Sequence, residues 1–310
     1  MTETGEITLK GYRFPAFGAQ VTLEASGPRA EELLEAAASR VIEVSESLTR
    51  FDPGSELSRI NADPRETVEA GPLMIRFVET ALSAAALTDG LVDPTLLPEL
   101  ERAGYTRSMS RNAEAVAPDV PSLDRTADRN SRVPPTDRWK NISVDPMTGT
   151  LSRTPGVKLD AGGVGKGLAA DLVAELMEDS KVPAWSADCL GDVRVGGVAG
   201  EVRPITIASP FPGEDPIEIL EIREGAVATS GTTRRTWKTA DGSTAHHLID
   251  PRTGLPAEGD LIQVTALAPT AVEAEARAKA TLLSGLSEAG HWLAHGGLAV
   301  DREGRVHRFG

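Results

Sequence analysis

The residues of this sequence that could do chemistry concentrate in two short stretches. The first, Lys158–Gly167, is a glycine-rich loop that contains Asp160 and Lys166. The residues after it have the apolar spacing of a helix. We therefore expect Lys166 at a helix N-terminus, where free N–H groups and the positive end of the helix dipole favour an anion such as a phosphate. The loop is not a P-loop, because Asp160 and Gly167 stand where that motif requires Gly and Ser or Thr. Taken alone, this stretch could equally be a tight strand-to-helix turn.

The second stretch is Ala245–Gly254, where His246 and His247 precede a turn that begins at Asp250. The two histidines are not expected to share a metal ion, because neighbouring residues of a strand point to opposite faces. Histidine titrates near neutral pH, so one of the pair is a better candidate for a general base. A nearby run of small residues, Gly225–Gly231, would let a ligand approach the backbone closely.

Helices and short strands must position these stretches. Apolar spacing predicts helices over Arg29–Leu48, Pro72–Leu87, Leu168–Met177 and Thr270–Leu286, and a last helix that carries His291, Trp292 and His295. Alternating segments between them predict strands. Because helices and strands are mixed without strict alternation, we expect an α+β fold with mixed or antiparallel sheets flanked by helices.

Composition limits the classes of function. The chain has 310 residues, with 46 acidic and 32 basic side chains and a formal net charge of −14. Such an acidic protein is not expected to bind nucleic acid, whose phosphates require stripes of Lys and Arg. A single cysteine, Cys189, excludes a disulfide within the chain. We expect a cytoplasmic protein without a membrane anchor, because no signal sequence, lipid-acceptor cysteine or membrane-spanning apolar run is found.

In combination, these segments resemble the ApbE family, the FAD:protein FMN transferases. The matching segments follow the family's order: Leu48–Asn61, Thr88–Thr95, Leu159–Gly167 with Asp171, Ala228–Gly231 and His247–Gly254. The resemblance implies that FMN is moved from FAD to a Ser or Thr hydroxyl of a target protein. It also implies an ApbE-like, T-fold-related architecture. Residues 1–310 would form one domain of two packed halves, with a polar excursion at about 106–141.

The resemblance assigns roles to individual positions. Beside the flavin nucleotide, Phe17 and Phe51 stand where the family usually has Met and Tyr. The adenine side would be lined by Leu91, Val92 and Asp93, and the rest of the FAD site would include Asp160, Lys166 and Thr229. His247 would also belong to the FAD site, and His247 and Asp250 are both expected to be catalytic. His247 would help the target hydroxyl attack phosphorus, and Asp250 would support the same turn.

The family's magnesium site is altered in this sequence. A helix Asp, a helix Thr and a glycine-loop carbonyl hold the ion in the family, and the matching positions are Glu275, Lys279 and Gly163. Glu can ligate a hard cation, but a protonated Lys cannot. The spacing also suits an ion pair between Glu275 and Lys279 on one helix face. The Lys279 ammonium would then supply positive charge to the pyrophosphate, and FAD would bind without magnesium, with weakened or altered transfer.

Two other functions fit the same residues. The chain could be an FAD-binding protein that has lost catalysis together with the metal. It could also be an FAD pyrophosphatase, in which water replaces the acceptor hydroxyl and the products are FMN and AMP. A further departure from the family is Asp188–Asp192, where Leu190 replaces a glycine and the turn is expected to change.

Overall fold

The computed structural model describes residues 8–108, 115–116, 137–239 and 244–310, with the backbone alone at 115–116. Most of the polar excursion predicted at about 106–141 lies outside these ranges, as does the extreme N-terminus. Within the described ranges, no helix is long and apolar enough to cross a membrane.

The chain mixes helices and strands without strict alternation, and β7 to β16 follow one another without a helix between them. The α-helices among the described residues are α1 (Ala30–Ser47), α2 (Glu56–Ala62), α3 (Pro72–Leu87), α4 (Leu97–Arg102), α5 (Gly165–Asp179), α6 (Ala271–Ser284) and α7 (Ala289–Trp292). The strands are β1 (Leu9–Ala16), β2 (Ala19–Ser26), β3 (Thr67–Glu69), β4 (Ala115–Val116), β5 (Ser143–Asp145), β6 (Thr150–Ser152), β7 (Trp185–Asp188), β8 (Asp192–Gly196), β9 (Arg203–Ile207), β10 (Glu218–Ile222), β11 (Gly225–Gly231), β12 (Thr236–Lys238), β13 (Thr244–His246), β14 (Ile249–Asp250), β15 (Leu255–Pro256), β16 (Leu261–Ala268), β17 (Gly297–Asp301) and β18 (Val306–Phe309).

The largest sheet has eight strands in the order β1-β2-β7-β8-β11-β16-β17-β18. Every neighbouring pair in it is antiparallel. The smaller sheets are also antiparallel, except that β12 pairs with β4 in parallel. The predicted α+β class with mixed or antiparallel sheets is therefore confirmed.

Helices cover one face of the large sheet. α1, α5 and α6 lie side by side on it, and α3 packs against all three. The contact between α5 and α6 is rich in alanine, and Ala169, Ala170, Ala274 and Ala276 are fully buried. On the opposite face, the β9–β10 hairpin packs in a cluster with Val195 and Val227. The side chains of β11 alternate between these two faces, as a strand requires.

Most of the predicted helices are present at nearly the expected bounds, but the last one is shorter than predicted. A 3-10 turn occupies Leu286–Glu288, α7 ends at Trp292, and His295 lies beyond it. Glycine has a low helix propensity, and Gly290 lies inside α7 while Gly296 has a φ of 92° just after it. The segment therefore turns back early into β17.

Candidate active site

The glycine-rich loop is fixed by residues from a distant part of the sequence. Asn61 accepts a hydrogen bond from the Leu159 N–H and donates one to the Leu159 carbonyl, both at 2.7 Å. Arg50 pairs with Asp160, with Nε 3.2 Å from Oδ1. The other Asp160 oxygen accepts the N–H of Gly162 at 2.9 Å. The segment Leu48–Asn61 thus holds the loop in place, which explains why both belong to one site.

The predicted helix N-terminus is present, but the anion bound there is a carboxylate of the protein, not a phosphate. α5 begins at Gly165, so Lys166 lies in its first turn. The Gly167 N–H donates to Oε2 of Glu275 on α6 at 3.0 Å. In return, Asp171 on α5 accepts the N–H groups of Ala271 and Val272, at 2.8 and 3.0 Å, at the start of α6. Each helix therefore provides a carboxylate for the free N–H groups of the other.

This pairing of α5 and α6 depends on a glycine. A Cβ at Gly167 would lie 2.8 Å from the Val272 nitrogen and 2.9 Å from the Ala271 carbonyl carbon. Those atoms are backbone and cannot rotate away. Gly167 is therefore required by helix packing, which is a different role from the Ser or Thr of a P-loop.

Two lysines and two carboxylates form a charged cluster beside this contact. Lys279 donates to Glu275 Oε1 at 2.8 Å, and Lys166 Nζ lies 3.0 Å from the same oxygen. Lys166 also donates to Asp192, at the start of β8. The two carboxylate side chains are 1% exposed, while those of Lys166 and Lys279 are 18% and 11% exposed. The lysines thus lie between the carboxylates and the open side of the site.

Burial and neighbouring charges shift the pKa of each group in the cluster. Burial disfavours the charge of Glu275, but Lys166 and Lys279 outweigh it and lower its pKa. Burial and then the Glu275 carboxylate raise the pKa of Asp192, although Lys166 acts against them. For Lys166, the two carboxylates outweigh burial and raise its pKa. Burial lowers the pKa of Lys279 despite its pairing with Glu275.

The two histidines have different environments, and β13 ends at His246, so His247 lies just beyond the strand. The Nε2 of His246 forms a 3.0 Å hydrogen bond with the Ala257 carbonyl, so this ring has a structural role in fixing the backbone. His247 is turned toward the lysines. Its Nδ1 is buried and has no hydrogen-bond partner among the described residues. Burial, and then the positive charge of Arg235, hold the pKa of His247 well below its ordinary value, which keeps the ring neutral.

Asp250 has a structural position in the same turn. Its Oδ1 accepts the Arg252 backbone N–H at 2.8 Å, and its Oδ2 lies 2.8 Å from an Arg252 guanidinium nitrogen. Asp250 does not line the cavities around His247. Its position agrees with the predicted support of the turn, and a catalytic role for Asp250 stays a prediction.

Two cavities meet at His247. The first, of about 240 Å³, has an apolar and aromatic lining that includes Phe17, Phe51, Leu91, Val92, Leu100 and Tyr105. The second, of about 520 Å³, has a polar lining that includes Arg13, Glu24, Asp188, Thr229, Arg234 and Gln263. The charged or titratable residues common to both are Lys166, Arg235, His247 and Lys279. We call the place defined by these four residues the junction.

Most of the predicted site residues are brought together here. Besides the three predicted junction residues, the first cavity is lined by Phe17, Phe51, Leu91, Val92, Asp93, Asp160 and Gly163. Thr229 lies instead in the second cavity, where its hydroxyl is 2.9 Å from that of Thr265. Glu275 lines neither cavity because the lysines cover it.

Aromatic rings and an arginine form one wall of the first cavity. Tyr105 stacks on Trp237 at 5.6 Å, and it meets Phe51 and His247 edge-on at 5.6 and 6.4 Å. The Arg50 guanidinium lies over both Phe51 and Tyr105, 4.3 and 4.7 Å from the ring centroids. A planar ligand entering this cavity would meet ring faces and edges.

Several residues at the site have a left-handed backbone that non-glycine residues rarely adopt. Phe17 (φ 53°) and Gly18 (φ 78°) form the turn between β1 and β2, and Arg235 (φ 52°) precedes β12. Leu190 has a φ of 64°, so it takes the conformation that a glycine would favour. Such residues cost on the order of 1–2 kcal/mol each and concentrate at ligand sites.

The residues present do not fit a magnesium site. Oε1 of Glu275 contacts two ammonium groups, and Oε2 accepts a hydrogen bond from the Gly167 N–H. The Lys279 ammonium, which the resemblance places where the family has a Thr ligand, repels a divalent cation and offers no lone pair.

Other functional residues were not predicted from the sequence. Asp192 lies in a stretch that the sequence marks only as a changed turn, and no sequence pattern assigns a role to Arg50, Tyr105 or Arg235. Arg50 lies inside the segment Leu48–Asn61, so its position beside Phe51 was the available signal. No comparable signal marks Tyr105, which reaches the site only through folding.

Comparisons with known proteins show which family the chain resembles. A model of the ApbE family matches residues 17–300. The FAD:protein FMN transferase of Escherichia coli strain K12 is 28% identical over 279 residues, which cover 88% of this chain and 76% of the relative. That of Chlamydia trachomatis serovar D is 29% identical, over 92% of this chain and 87% of the relative.

Solved structures show the same fold. The ApbE protein of Thermotoga maritima superposes with a TM-score of 0.77 at 27% identity and covers 97% of both chains. The flavin transferase ApbE of Vibrio cholerae gives a TM-score of 0.75 at 20% identity, over 98% of both chains. Because the family model spans most of the sequence and the fold agrees, this chain belongs to the ApbE family.

Proposed function

We propose that this protein is an FAD:protein FMN transferase, which moves FMN from FAD to a Ser or Thr hydroxyl of a target protein. One observation carries the proposal: a neutral histidine and three cationic side chains stand where an apolar, ring-lined cavity meets a polar one. The relatives named above catalyse this transfer according to their names. Such a junction suits a substrate that has planar rings in the apolar cavity and a charged diphosphate facing the polar one.

The transfer needs positioning and charge neutralisation more than covalent help. The acceptor oxygen attacks the phosphorus of the FMN part, an O–P bond forms, and the P–O bond to the AMP part breaks. The acceptor proton passes to His247, and AMP leaves with the bonding electrons. Because its pKa is held low, His247 is neutral before the reaction and able to take a proton.

The two cavities suit different parts of the reaction. Apolar residues such as Leu91 and Leu100 and the rings of Phe51 and Tyr105 suit the flavin and adenine rings. The polar cavity, with Arg13, Glu24 and Asp188, suits an acceptor segment of mixed charge. The Ser/Thr nature of the acceptor and a cytoplasmic location are parts of this proposal and rest on the family resemblance and the sequence.

One experiment separates this function from its alternatives. The purified protein is incubated with FAD and a protein extract of its host cells, and protein-bound flavin and AMP are then measured. We expect a flavin-labelled protein band that survives denaturation, with AMP released in equal amount. AMP with free FMN and no band would indicate a pyrophosphatase, and bound FAD without AMP would indicate a binding protein.

Substitution of the proposed base provides the internal control. We expect His247→Ala to slow labelling by about 10²- to 10⁴-fold, as for loss of a general base. His291→Ala is the matched control, because His291 is exposed on α7 and packs only edge-on against Trp292. Equal labelling by wild type and His247→Ala would contradict the proposed role.

A further inference from the structure

We propose that Lys166, Lys279 and Arg235 neutralise the ligand's diphosphate directly and take the place of a divalent metal ion. The inference rests on the proposed function for the identity of the ligand. Its physical basis is the arrangement of the two lysines at Glu275 and of Arg235 beside them. It predicts that FAD binding does not depend on a metal ion, which the transfer reaction alone does not predict.

The three cations come from different elements but face the same space. Lys166 lies on α5, Lys279 on α6 and Arg235 in the bend before β12. All three line both cavities. A ligand whose rings lie in the first cavity and whose charged part faces the second therefore presents that charged part to all three side chains.

Each cation has donors left for a ligand. An ammonium group has three N–H donors and a guanidinium has five. Among the described residues, Lys279 donates one to Glu275. Lys166 donates one to Asp192 and directs a second at Glu275 Oε1, 3.0 Å away, so each ammonium keeps at least one donor. Arg235 is half-buried and has no hydrogen-bond or ion-pair partner in the described part of the chain. Its guanidinium can therefore bind a phosphate with two parallel hydrogen bonds.

The carboxylates behind the lysines serve as their counter-charges. Glu275 and Asp192 are buried and balance Lys166 and Lys279, so the lysines can remain charged in a buried place. A divalent ion at Glu275 would have to displace both ammonium groups, which lie 2.8 and 3.0 Å from the same oxygen. The chemistry that a metal would supply, positive charge beside the diphosphate, is already present.

Binding of FAD with and without magnesium tests the inference. FAD is titrated into the full chain in buffer with EDTA and in buffer with MgCl₂, and binding is followed by flavin fluorescence. We expect dissociation constants within about twofold of each other. A dissociation constant that rises tenfold or more in EDTA and recovers with magnesium would overturn the inference.

Two single substitutions test the cations themselves. We expect Lys279→Met and Arg235→Met to weaken FAD binding by about 10- to 100-fold in both buffers, because each loses a charge-assisted contact. Lys10→Met is the matched control, since Lys10 pairs with Glu31 on the surface. Riboflavin, which has no phosphate, should bind all variants alike. Unchanged FAD binding in both junction variants would overturn the inference.

The outcomes also separate this inference from the proposed function. Arg235 is half-buried, whereas the Lys279 side chain is 11% exposed, so Arg235→Met is the safer variant if a thermal melt shows that Lys279→Met does not fold. If FAD binds and labels protein only with magnesium, the metal-free site is wrong and the transferase stands. If the wild type binds no FAD in either buffer, the proposed function fails as well.

Discussion

Lys166 and Lys279 come from different helices and meet at one carboxylate oxygen, Oε1 of Glu275, at 3.0 and 2.8 Å. Their spacing is therefore set by the position of Glu275, which is itself held by the Gly167 N–H at 3.0 Å. A single buried side chain thus brings the two ammonium groups together at the junction.

Glu275→Gln should be strongly destabilising. The neutral amide leaves two buried ammonium groups with Asp192 as their remaining carboxylate partner in the cluster, and breaking a buried pair costs about 3–5 kcal/mol. We expect the urea midpoint at pH 7 to fall accordingly. Glu273→Gln on the same helix is the control, because Glu273 pairs with Arg277 nearer the surface. An equal effect of both substitutions would contradict the central role of Glu275.

The pH dependence of transfer should reflect a histidine with a lowered pKa. Burial and nearby cations hold the pKa of His247 below 6.5, so the ring stays neutral and able to accept a proton as pH falls through 6.5. We expect the acid limb of AMP release to lie below pH 6.5. A rate that already halves at or above pH 6.5 would contradict this assignment.

The same shift has a consequence for stability. The unfolded chain protonates His247 at its ordinary pKa while the folded chain does not, so folding becomes less favourable as pH falls below 6.5. Denaturant melts of wild type and His247→Ala across this range measure the contribution. As pH falls, the free energy of unfolding of the wild type should decrease relative to that of His247→Ala. A difference that stays constant with pH would exclude the effect.

Gly167→Ala should separate α5 from α6. Its Cβ would lie 2.8 Å from the Val272 nitrogen, and overpacking of this kind costs about 1–3 kcal/mol. Gly165→Ala, two residues earlier, places its Cβ 3.5 Å from that of Ala161, an ordinary contact. We expect a lower melting temperature for the first variant and an unchanged or higher one for the second. The reverse order would show that the helix contact is not tight.

Arg50→Lys should weaken FAD binding without removing charge. Lys lacks the planar fork that reaches both Asp160 and the Tyr105 carbonyl, which Arg50 contacts at 3.2 and 2.5 Å. We expect the dissociation constant of FAD to rise by about tenfold. Arg40→Lys, on the exposed side of α1, should leave it unchanged. Equal affinities for all three proteins would show that Arg50 does not shape the cavity.

The sequence predicted this site where local chemistry is distinctive. Periodicity located α1, α3 and α6, and the glycine-rich loop was correctly placed at a helix N-terminus. The anion at that terminus was not foreseeable, because Glu275 is 108 residues from Gly167 and only the packing of two helices brings them together. The contact of Asp192 with Lys166 and the position of Arg235 between the cavities could not be predicted for the same reason. Neither a salt bridge nor a meeting point of two cavities has a recognisable sequence pattern.

The exchange of carboxylates between α5 and α6 has a further consequence. Asp171 holds the start of α6 and Glu275 holds the start of α5, so neither helix can shift without uncovering N–H groups of the other. The two helices must therefore move as one body, with Lys166 and Lys279 attached. The ordering of these cations is completed during folding, and a ligand meets a preorganised site that requires little further loss of entropy on binding.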